Sequence, residues 1–428
     1  MGSGCADDID GLIADGRLRS AYQPIVDLGT GDVVAYEALL RGPVGSPLEM
    51  PGALFPAAAA AGVSAELEWA GVRCGIEGAV SGGLRHDVPV FVNVEGASLG
   101  QSLQPAQMAV LEQAADMRVV FEVTERDLLA RPADLLVLGQ RLREHGWGLA
   151  IDDVGLQHPE GVAALALVRP DVVKLDMGLI HRGAGPGEAA VGLAVQAYVE
   201  EHGAAVVAEG IEDEVHRERA LVLGATLGQG YLFGRPGPLP AVVDRPDRPL
   251  VTGRPCPAAG GRTPFDIAAS RLTFRTAAKR TLLPISRQLE LRALREAPEV
   301  LVFGTFQDQG HFTRRSAAQY GLLASQCSLV AAFAAGMDSE PAAGVRGADI
   351  PDDDPLRDEW TVVVISPHYA AALVGRDLGS GGEDMDRRFA FAVTHDRSLV
   401  AELGTALMAR VAERRGSRID GLGVPALV

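Results

Sequence analysis

The chain has 428 residues, 47% of them hydrophobic and 22% charged, which predicts two or three globular domains with sizeable cores. A formal net charge of −17 excludes non-specific nucleic-acid binding through a basic face, so an anionic substrate would need metal ions or a local basic group. The cysteines form no Cys-x-x-Cys pair, which argues against a zinc site and a disulfide framework; they are Cys5, Cys74, Cys256 and Cys327, predicted to be reduced thiols.

The sequence shows no signal for a membrane location. No apolar run approaches the roughly 18 residues that span a bilayer. The first eight residues lack the basic start and apolar core of a signal peptide. We therefore expect a cytoplasmic protein.

Eight short β-rich runs alternate with helical stretches in the first part of the chain. The runs are Ala21–Leu28, Asp32–Leu40, Val88–Val94, Arg118–Thr124, Gly148–Asp153, Asp171–Leu175, Ala204–Ala208 and Gly228–Phe233. This alternation predicts parallel βαβ units, and eight strands in this length favour an α/β fold of the (β/α)8 TIM-barrel type. Gly29-Thr30-Gly31 forms a hairpin-type turn between the first two runs, so one strand is predicted to be antiparallel. A doubly wound open sheet is the alternative.

A proline- and glycine-rich segment, 237–264, is predicted to be a linker, because proline continues neither a helix nor a central strand. It separates a barrel over 1–236 from a smaller α/β domain over 265–428. Helices of that domain are predicted at Phe265–Arg275, Ile285–Glu296 and Leu399–Arg414, and strands at Val300–Phe306, Leu329–Ala334, Trp360–Ser366 and Phe389–Thr394.

Polar side chains stand near the ends of the predicted barrel strands, where TIM barrels carry their active sites. The set comprises Glu37, Asn93, Glu122, Asp152, Asp153, Lys174 and Glu209. Five negative charges and one positive charge sum to −4, and like charges at short range would raise one another's pKa unless cations offset them. Oxygen-only ligands suit Mg²⁺ or Mn²⁺ rather than zinc.

Two such cations about 3.5–4 Å apart favour in-line displacement at phosphorus. Asp152 and Asp153 are adjacent at one strand end, so at least one of them is well placed to bridge the metals. Lys174 could orient the attacking water or neutralise charge on phosphate oxygens. The residues therefore predict metal-dependent phosphoester hydrolysis.

Taken singly, several of these side chains also have structural interpretations. Glu37 could face solvent, Asn93 could satisfy a turn, Glu209 could cap a helix and Lys174 could extend out of the barrel. Outside the set, four histidines are predicted to lie on the surface: His145, His158, His202 and His216.

In this order, the motifs resemble the EAL domain, the cyclic-di-GMP phosphodiesterase family, over about residues 10–240. The signature is Glu37-Ala38-Leu39. The resemblance implies a modified TIM barrel with one antiparallel strand, often dimeric. It also implies cleavage of one phosphodiester of cyclic-di-GMP to linear pGpG, with two Mg²⁺ or Mn²⁺ ions and inhibition by Ca²⁺.

The resemblance also implies a role for each matching residue. Metal ligands would be Glu37, Asn93, Glu122, Asp152 and Asp153. Lys174 and Glu209 would join Glu37 in catalysis, by positioning or activating the water. Gln23, Arg41 and Gln229 would serve the substrate, Gln229 by holding a water of the metal site. Three further residues would contact and orient these groups without touching metal or substrate: Glu125, Asp176 and Glu212.

One loop departs from the family pattern. Where the family has Asp-Asp-Phe-Gly-Thr-Gly-Tyr-Ser-Ser, this chain continues from Asp152 and Asp153 through Val154 and Gly155 to 156–160, Leu-Gln-His-Pro-Glu. A second hypothesis follows, in which the barrel binds cyclic-di-GMP without cutting it. A third is a metal-dependent enzyme that acts on another phosphodiester.

Residues 265–420 resemble a DICT domain, a sensory module found beside cyclic-di-GMP enzymes and two-component proteins. The resemblance rests on Val302–Gln307, Pro355–Trp360, Arg388–Phe391 and Thr394–Asp396. It implies regulation of the barrel by the C-terminal domain, whose ligand or protein partner is left open.

Overall fold

The computed structural model describes residues 8–94, 109–112, 114–155, 159–183, 185–254 and 261–411. In the first part of the chain, eight strands form a closed barrel in sequence order. They are β1 (Arg19–Asp27), β2 (Val33–Arg41), β3 (Val90–Asn93), β4 (Val119–Thr124), β5 (Gly148–Val154), β6 (Val172–Leu175), β7 (Ala205–Ala208) and β8 (Leu227–Gln229). The closed barrel confirms the predicted fold class and excludes the open sheet.

Strand β1 is the antiparallel strand that the hairpin turn predicts. It pairs antiparallel with both β2 and β8, whereas the remaining barrel pairs are parallel. The turn is closed by Asp27, whose Oδ1 accepts hydrogen bonds from the backbone of Gly29 and Thr30 at 2.7 and 3.0 Å. The resulting register places Gln23 opposite Glu37.

Helices cover the outside of the barrel, as the βαβ pattern requires. Those described are α1 (Ile9–Ala14), α2 (Pro51–Ala61), α3 (Ser64–Ser81), α4 (Glu125–Ala130), α5 (Pro132–Glu144), α6 (Leu165–Val168), α7 (Met177–Arg182), α8 (Pro186–His202) and α9 (Glu214–Val222). A short 3₁₀ helix, Pro159–Ala164, precedes α6. The helices and strands bury one continuous apolar layer between them.

The described part of the predicted linker lies against the barrel. Tyr22 and Gly237 form a backbone bridge, and Leu250 is only 7% exposed among apolar side chains of the barrel strands. Arg118 Nη1 donates a 3.1 Å hydrogen bond to the Leu250 carbonyl. Proline favours extended backbone without sheet hydrogen bonds, so such a segment can pack along a surface without joining a sheet. The domain boundaries themselves stay a prediction.

The C-terminal domain is built on a seven-stranded mixed sheet with the order β12-β11-β10-β13-β14-β15-β9. The strands are β9 (Arg275–Ala278), β10 (Leu301–Asp308), β11 (Leu329–Ala335), β12 (Arg346–Asp349), β13 (Glu359–Ile365), β14 (Ala370–Asp377) and β15 (Arg388–Thr394). Its helices are α10 (Pro264–Ala269), α11 (Lys279–Glu296), α12 (Arg314–Ala324) and α13 (Arg397–Met408).

Three strands of this sheet were not predicted. The predicted helix Phe265–Arg275 is wrong in its second half, because α10 ends at Ala269 and Arg275 begins the edge strand β9. Strands β12 and β14 were missed because both are rich in alanine and glycine, which have low β-propensity. The predicted closing helix, Leu399–Arg414, is too long at its end, because α13 ends at Met408 and Ala409 caps it.

Alternate residues of the central strands face opposite layers. Val302 of β10 packs with α11 and α12, whereas Phe303 faces α13 and the barrel. Helix α13 packs on α6, where Thr405 Oγ1 donates to the Leu167 carbonyl at 3.3 Å. The sheet therefore has one layer of helices on its outer face and the barrel beyond α13 on the other. Within the described ranges, no helix is long and apolar enough to cross a membrane.

Candidate active site

The Lys174 ammonium group lies at the centre of a carboxylate cluster at the barrel mouth. Its Nζ is 2.7 Å from Glu209 Oε1, 2.8 Å from Glu122 Oε1, 3.1 Å from Asp152 Oδ1 and 3.5 Å from Glu37 Oε2. The Lys174 side chain has no exposed surface. The Lys174 side chain therefore does not extend into solvent. Its ammonium group pairs with carboxylates from four other strands or strand ends.

Glu37 is held by amide groups as well as by Lys174. Gln229 Nε2 donates to Glu37 Oε2 at 2.5 Å, and Asn93 Nδ2 donates to Glu37 Oε1 at 3.1 Å. The reversal of β1 adds Gln23, whose Oε1 accepts from the same Gln229 amide at 3.1 Å. The predicted substrate residues Gln23 and Gln229 thus lie beside a predicted metal ligand.

A bulge in β5 turns two adjacent aspartates toward one place. In a regular strand, neighbouring side chains point to opposite faces. Here the pairing of β5 with β6 shifts register between Ile151 and Val154, and Asp153 adopts a φ of 59°. Aspartate tolerates this left-handed region better than most residues. As a result, Asp152, Asp153 and Glu209 each place one carboxylate oxygen within 4.8 Å of the others.

Burial and mutual repulsion set the protonation of the cluster. Burial and the neighbouring Glu37 raise the pKa of Glu122 well above its ordinary value. Burial and the nearby Asp152 raise the pKa of Glu209 to about 8 and that of Asp153 to about 6. These shifts reflect burial together with an excess of negative charge, which Lys174, Arg41 and Arg126 offset only in part.

Two groups of the cluster stay charged. Burial raises the pKa of Glu37, but Lys174 and the Gln229 and Asn93 amides outweigh it and bring the pKa below its usual value. Burial lowers the pKa of Lys174, yet the surrounding carboxylates, Asp152 first, raise it well above normal. Lys174 is therefore an ammonium ion and not a base.

The donor set fits a hard divalent cation. Glu122 Oε2 is buried without a hydrogen-bond partner in the described part of the chain, and so is Gln229 Oε1. Buried polar atoms left in this way favour a site that another group completes. Carboxylate and amide oxygens are the ligands that Mg²⁺ and Mn²⁺ prefer. Asp152, Asp153 and Glu209 are the described residues whose oxygens lie close enough together to share an ion.

The remaining predicted residues take different positions. Arg41 is buried at the end of β2, and its Nη1 donates to the carbonyl of Leu40 at 2.8 Å. Glu125 Oε2 accepts a 3.2 Å bond from the backbone of Gly155, two residues after Asp153. Asp176 caps α7 by accepting from Gly178 N at 2.8 Å.

Glu212 does not join the cluster. Its side chain is exposed, and its backbone N–H donates a 3.4 Å bond to His216 Nδ1. Of the predicted surface histidines, His145 is exposed and His202 and His216 are partly buried. Cys5, Cys256, His158 and the loop residues 156–158 lie outside the described residues.

Sequence reasoning missed an aromatic and cationic pair after β8. Tyr231 is 51% exposed, and the guanidinium carbon of Arg235 lies 4.0 Å from the centre of its ring. A second omission is His181, whose Nε2 lies 2.7 Å from the Gly210 carbonyl, next to Glu209. The spacing of four residues from Tyr231 to Arg235, just after Gln229, was a usable signal for the first pair.

A family model described as "EAL domain" matches residues 6–236, more than half of the chain. The chain belongs to the EAL domain family. A second family model, DICT, described as "Sensory domain in DIguanylate Cyclases and Two-component system", matches residues 267–378 beyond the EAL barrel. Both matches confirm the predicted architecture.

The EAL domain is similar to two curated Pseudomonas aeruginosa proteins described as cyclic di-GMP phosphodiesterases. NbdA is 32% identical over 243 residues, 54% of this chain and 30% of the relative. RocR is 37% identical over 121 residues, 28% of this chain and 31% of the relative. The chain thus spans about a third of the length of these relatives. A structure of Klebsiella pneumoniae BlrP1 with manganese and cyclic di-GMP shows 28% identity, covers 52% of this chain and 56% of that one, and has a TM-score of 0.45.

Proposed function

We propose that the EAL barrel hydrolyses one phosphodiester of cyclic di-GMP to linear pGpG, with two Mg²⁺ or Mn²⁺ ions per site. The observation that carries this proposal is the buried cluster of carboxylates around Lys174 at the barrel mouth, with three carboxylate oxygens within 4.8 Å of one another. The similarity to NbdA and RocR, described as cyclic di-GMP phosphodiesterases, supports the substrate.

The ligands in this proposal are Glu37, Asn93, Glu122, Asp152 and Asp153, with Glu209 added by its position beside the two aspartates. When bound, the cations would stabilise charge on the phosphate oxygens and lower the pKa of water. They would also offset the carboxylate charge, which otherwise opposes an anionic substrate.

Among the four carboxylates that contact Lys174, Glu209 is the most exposed, and we assign it to accept a proton from water. Its side chain is 20% exposed, whereas those of Glu122 and Asp152 are sealed, at 0% and 3%. The attacking water oxygen forms a bond to phosphorus, and its proton passes to a carboxylate oxygen. The bond from phosphorus to one ribose oxygen breaks, that oxygen takes up a proton from solvent to become a hydroxyl group, and the carboxylate returns its own proton to solvent. Lys174 positions Glu209 through their 2.7 Å ion pair.

Gln23, Gln229 and Arg41 would orient the substrate. Gln229 links Gln23 to Glu37, so a group that binds the two amides is fixed relative to the cluster. Arg41 offers a guanidinium group on the face of β2 that also carries Glu37. The C-terminal domain would regulate this activity, since its family model describes a sensory domain. A cytoplasmic location is supported by the free thiols of Cys74 and Cys327.

The test is to incubate the full chain with cyclic di-GMP and Mg²⁺ or Mn²⁺ and to separate the nucleotides by chromatography. We expect linear pGpG from the wild-type chain and at least a hundredfold slower formation by Glu37→Gln, because charge stabilisation of this kind contributes about that much. Glu214→Gln is the matched control, since Glu214 is exposed and pairs with Arg217 on the outside of the barrel.

Three outcomes separate the hypotheses. Formation of pGpG that depends on Glu37 supports the phosphodiesterase. Saturable binding of cyclic di-GMP without any product, with metal present, would favour the receptor instead. Faster cleavage of another phosphodiester, such as cyclic di-AMP, would place the substrate outside the proposed class.

A further inference from the structure

The C-terminal domain contains a cavity on the sheet face that points away from the barrel. It lies between α11, α12 and the strands β10, β13 and β15, and its volume is about 390 Å³. Cavities of about 300–1,000 Å³ commonly hold small-molecule ligands. Neither Lys174 nor any of the carboxylates around it lines this cavity.

The inner end of this cavity carries a buried hydroxyl group that the described part of the chain leaves without a hydrogen bond. Tyr320 is 1% exposed, and its hydroxyl has no hydrogen-bond partner within the described ranges. The phenol lies over Gly304 of β10, where a Cβ would collide with its hydroxyl. Nearby, Glu290 is 8% exposed and accepts a 3.3 Å bond from Ser286. A buried hydroxyl without a partner favours a ligand group that completes it.

The walls of the cavity are aromatic. Aromatic residues make up 5% of the chain, yet they are four of the twenty residues that line the cavity. Trp360 and Phe389 meet edge to face with ring centres 5.5 Å apart, and Phe306 and Tyr320 do so at 5.1 Å. Flat walls of this kind favour a planar ring between them.

The outer end of the cavity is positively charged. Arg287 and Arg315 line it and are exposed, and neither makes a hydrogen bond or a close ion pair within the described residues. The charge of Arg287 also acts on the Glu290 carboxyl group of the same helix. The other charges of the rim are satisfied, since Lys279 holds both oxygens of Asp384 at 2.7 Å. Two unpaired guanidinium groups favour an anionic group, above all a carboxylate that arginine can bind in bidentate fashion.

The backbone at the cavity is also strained. Gln307 is buried in β10 with a φ of 64°, which is uncommon for a residue that is neither glycine, asparagine nor aspartate. Its side-chain oxygen accepts a 2.8 Å bond from Arg387, which fixes this conformation. Strained residues concentrate at ligand sites, where the surroundings hold them in place.

We propose that this cavity binds a small planar aromatic carboxylate, with a hydroxyl or carbonyl group at its inner end beside Tyr320 and its carboxylate at Arg287 and Arg315. The ligand class follows from the order of the lining groups, from buried hydroxyl through aromatic walls to exposed guanidinium groups. It gives the DICT domain a chemically defined ligand site.

The test uses the full chain and three related probes, with binding measured by isothermal titration calorimetry. The probes are 6-hydroxy-2-naphthoate, 2-naphthoate without the hydroxyl, and 2-naphthol without the carboxylate. We expect 6-hydroxy-2-naphthoate to bind tightest. Arg315→Ala should weaken this binding about tenfold, because it removes a charge-assisted hydrogen bond. Arg314→Ala is the matched control on the same helix, because Arg314 is exposed and does not line the cavity.

Tyr320→Phe tests the inner end and removes only one oxygen atom. It should weaken 6-hydroxy-2-naphthoate and leave 2-naphthoate unchanged, whereas a hydroxyl with a purely structural role would affect both probes alike. The proposal is overturned if no probe binds in a saturable way. It is also overturned if 2-naphthol binds as well as the carboxylates, or if Arg315→Ala and Arg314→Ala behave the same.

Discussion

Lys174 is a buried cation surrounded by four carboxylates from different parts of the barrel. Removing one partner of a buried charge cluster leaves the others uncompensated, which is far more destabilising than the loss of a surface ion pair. At the residue scale, the same side chain that would position the catalytic groups also holds the barrel mouth together.

Lys174→Met should therefore lower the free energy of unfolding in metal-free buffer, by about 3–5 kcal/mol at pH 8. The deficit should shrink toward acid pH. Without Lys174 the buried carboxylates keep their protons to higher pH, so the stability present at low pH is lost as the pH rises. Urea denaturation with a chelator measures both values.

Lys279→Met is the control, at a partly exposed ion pair with Asp384, and should cost less than about 1 kcal/mol. Equal losses of unfolding free energy in the two variants would contradict this role of Lys174.

Asp153 combines a left-handed backbone with a carboxylate of the proposed metal site, and two different substitutions test these features separately. Asp153→Asn keeps a side chain that tolerates positive φ, so the fold should persist while the rise in melting temperature on adding Mn²⁺ disappears. Asp153→Ala should lose that rise too and cost about 1 kcal/mol more. Thermal unfolding with and without Mn²⁺ is the measurement, with exposed Asp116→Asn as control. An unchanged Mn²⁺ effect in Asp153→Asn would remove Asp153 from the metal site.

The residues of the cluster could be predicted from sequence because strand ends of a parallel barrel converge whatever the loops do. The bulge that aims Asp152 and Asp153 together could not, since it depends on the pairing of β5 with β6. Tyr320 gave no sequence signal at all. A tyrosine on an amphipathic helix predicts core packing, and only the tertiary structure reveals that no described residue hydrogen-bonds its hydroxyl group.

At the scale of elements, helix α11 places the carboxyl group of Glu290 in the core of the C-terminal domain. Burial raises the pKa of Glu290 from 4.5 to about 7. Between these values the unfolded chain loses the proton that the folded chain retains. The folded state therefore loses stability as the pH rises through this window, by roughly 3 kcal/mol.

Glu290→Gln should remove this contribution, because glutamine mimics the protonated acid at every pH. The difference in unfolding free energy between variant and wild type should grow in favour of the variant from pH 4.5 to 7, the window set by the Glu290 pKa values. Chemical denaturation across this range measures the difference. The pH dependence that comes from the barrel carboxylates is the same in both proteins and drops out of it. Glu296→Gln, on the same helix and paired with Arg292, is the control. Parallel pH profiles for wild type and Glu290→Gln would show that Glu290 is not buried as described.

The same scale explains the outcome of strand prediction. The barrel strands are apolar runs bounded by polar ends, and the first seven were predicted to within about two residues at each end. The eighth prediction, Gly228–Phe233, is wrong after Gln229, where β8 ends and a turn follows. In the C-terminal sheet, β9 is an edge strand with two exposed residues, and β14 begins with three alanines. Their strand conformation is imposed by pairing with β15 rather than by their own composition.

For the molecule as a whole, the barrel and the C-terminal domain share one apolar core. Leu167 of α6 packs against Gly404 of α13, and Arg397 Nε pairs with Glu201 Oε2 at 2.7 Å. An interface built on buried leucine and alanine favours joint rather than independent unfolding. The outer cavity is therefore separated from the barrel by the sheet and α13.

Leu167→Ala should lower the stability of the full chain by about 2–5 kcal/mol while keeping a single transition in scanning calorimetry. Leu193→Ala, at a barrel leucine that is 58% exposed, should change little. Two separate transitions in the wild-type chain would mean that the shared core does not couple the domains.

The sequence contains only two lysines among its 39 basic residues, Lys174 and Lys279. One is sealed in the barrel with no exposed surface, and the other stands at the rim of the outer cavity with 15% of its side chain exposed. An amine-selective acylating reagent followed by peptide mass spectrometry should thus modify Lys279 in the native chain and Lys174 only after unfolding. Two covalent marks, one for each site, then report the occupancy of the cavity and the integrity of the barrel in a single digest.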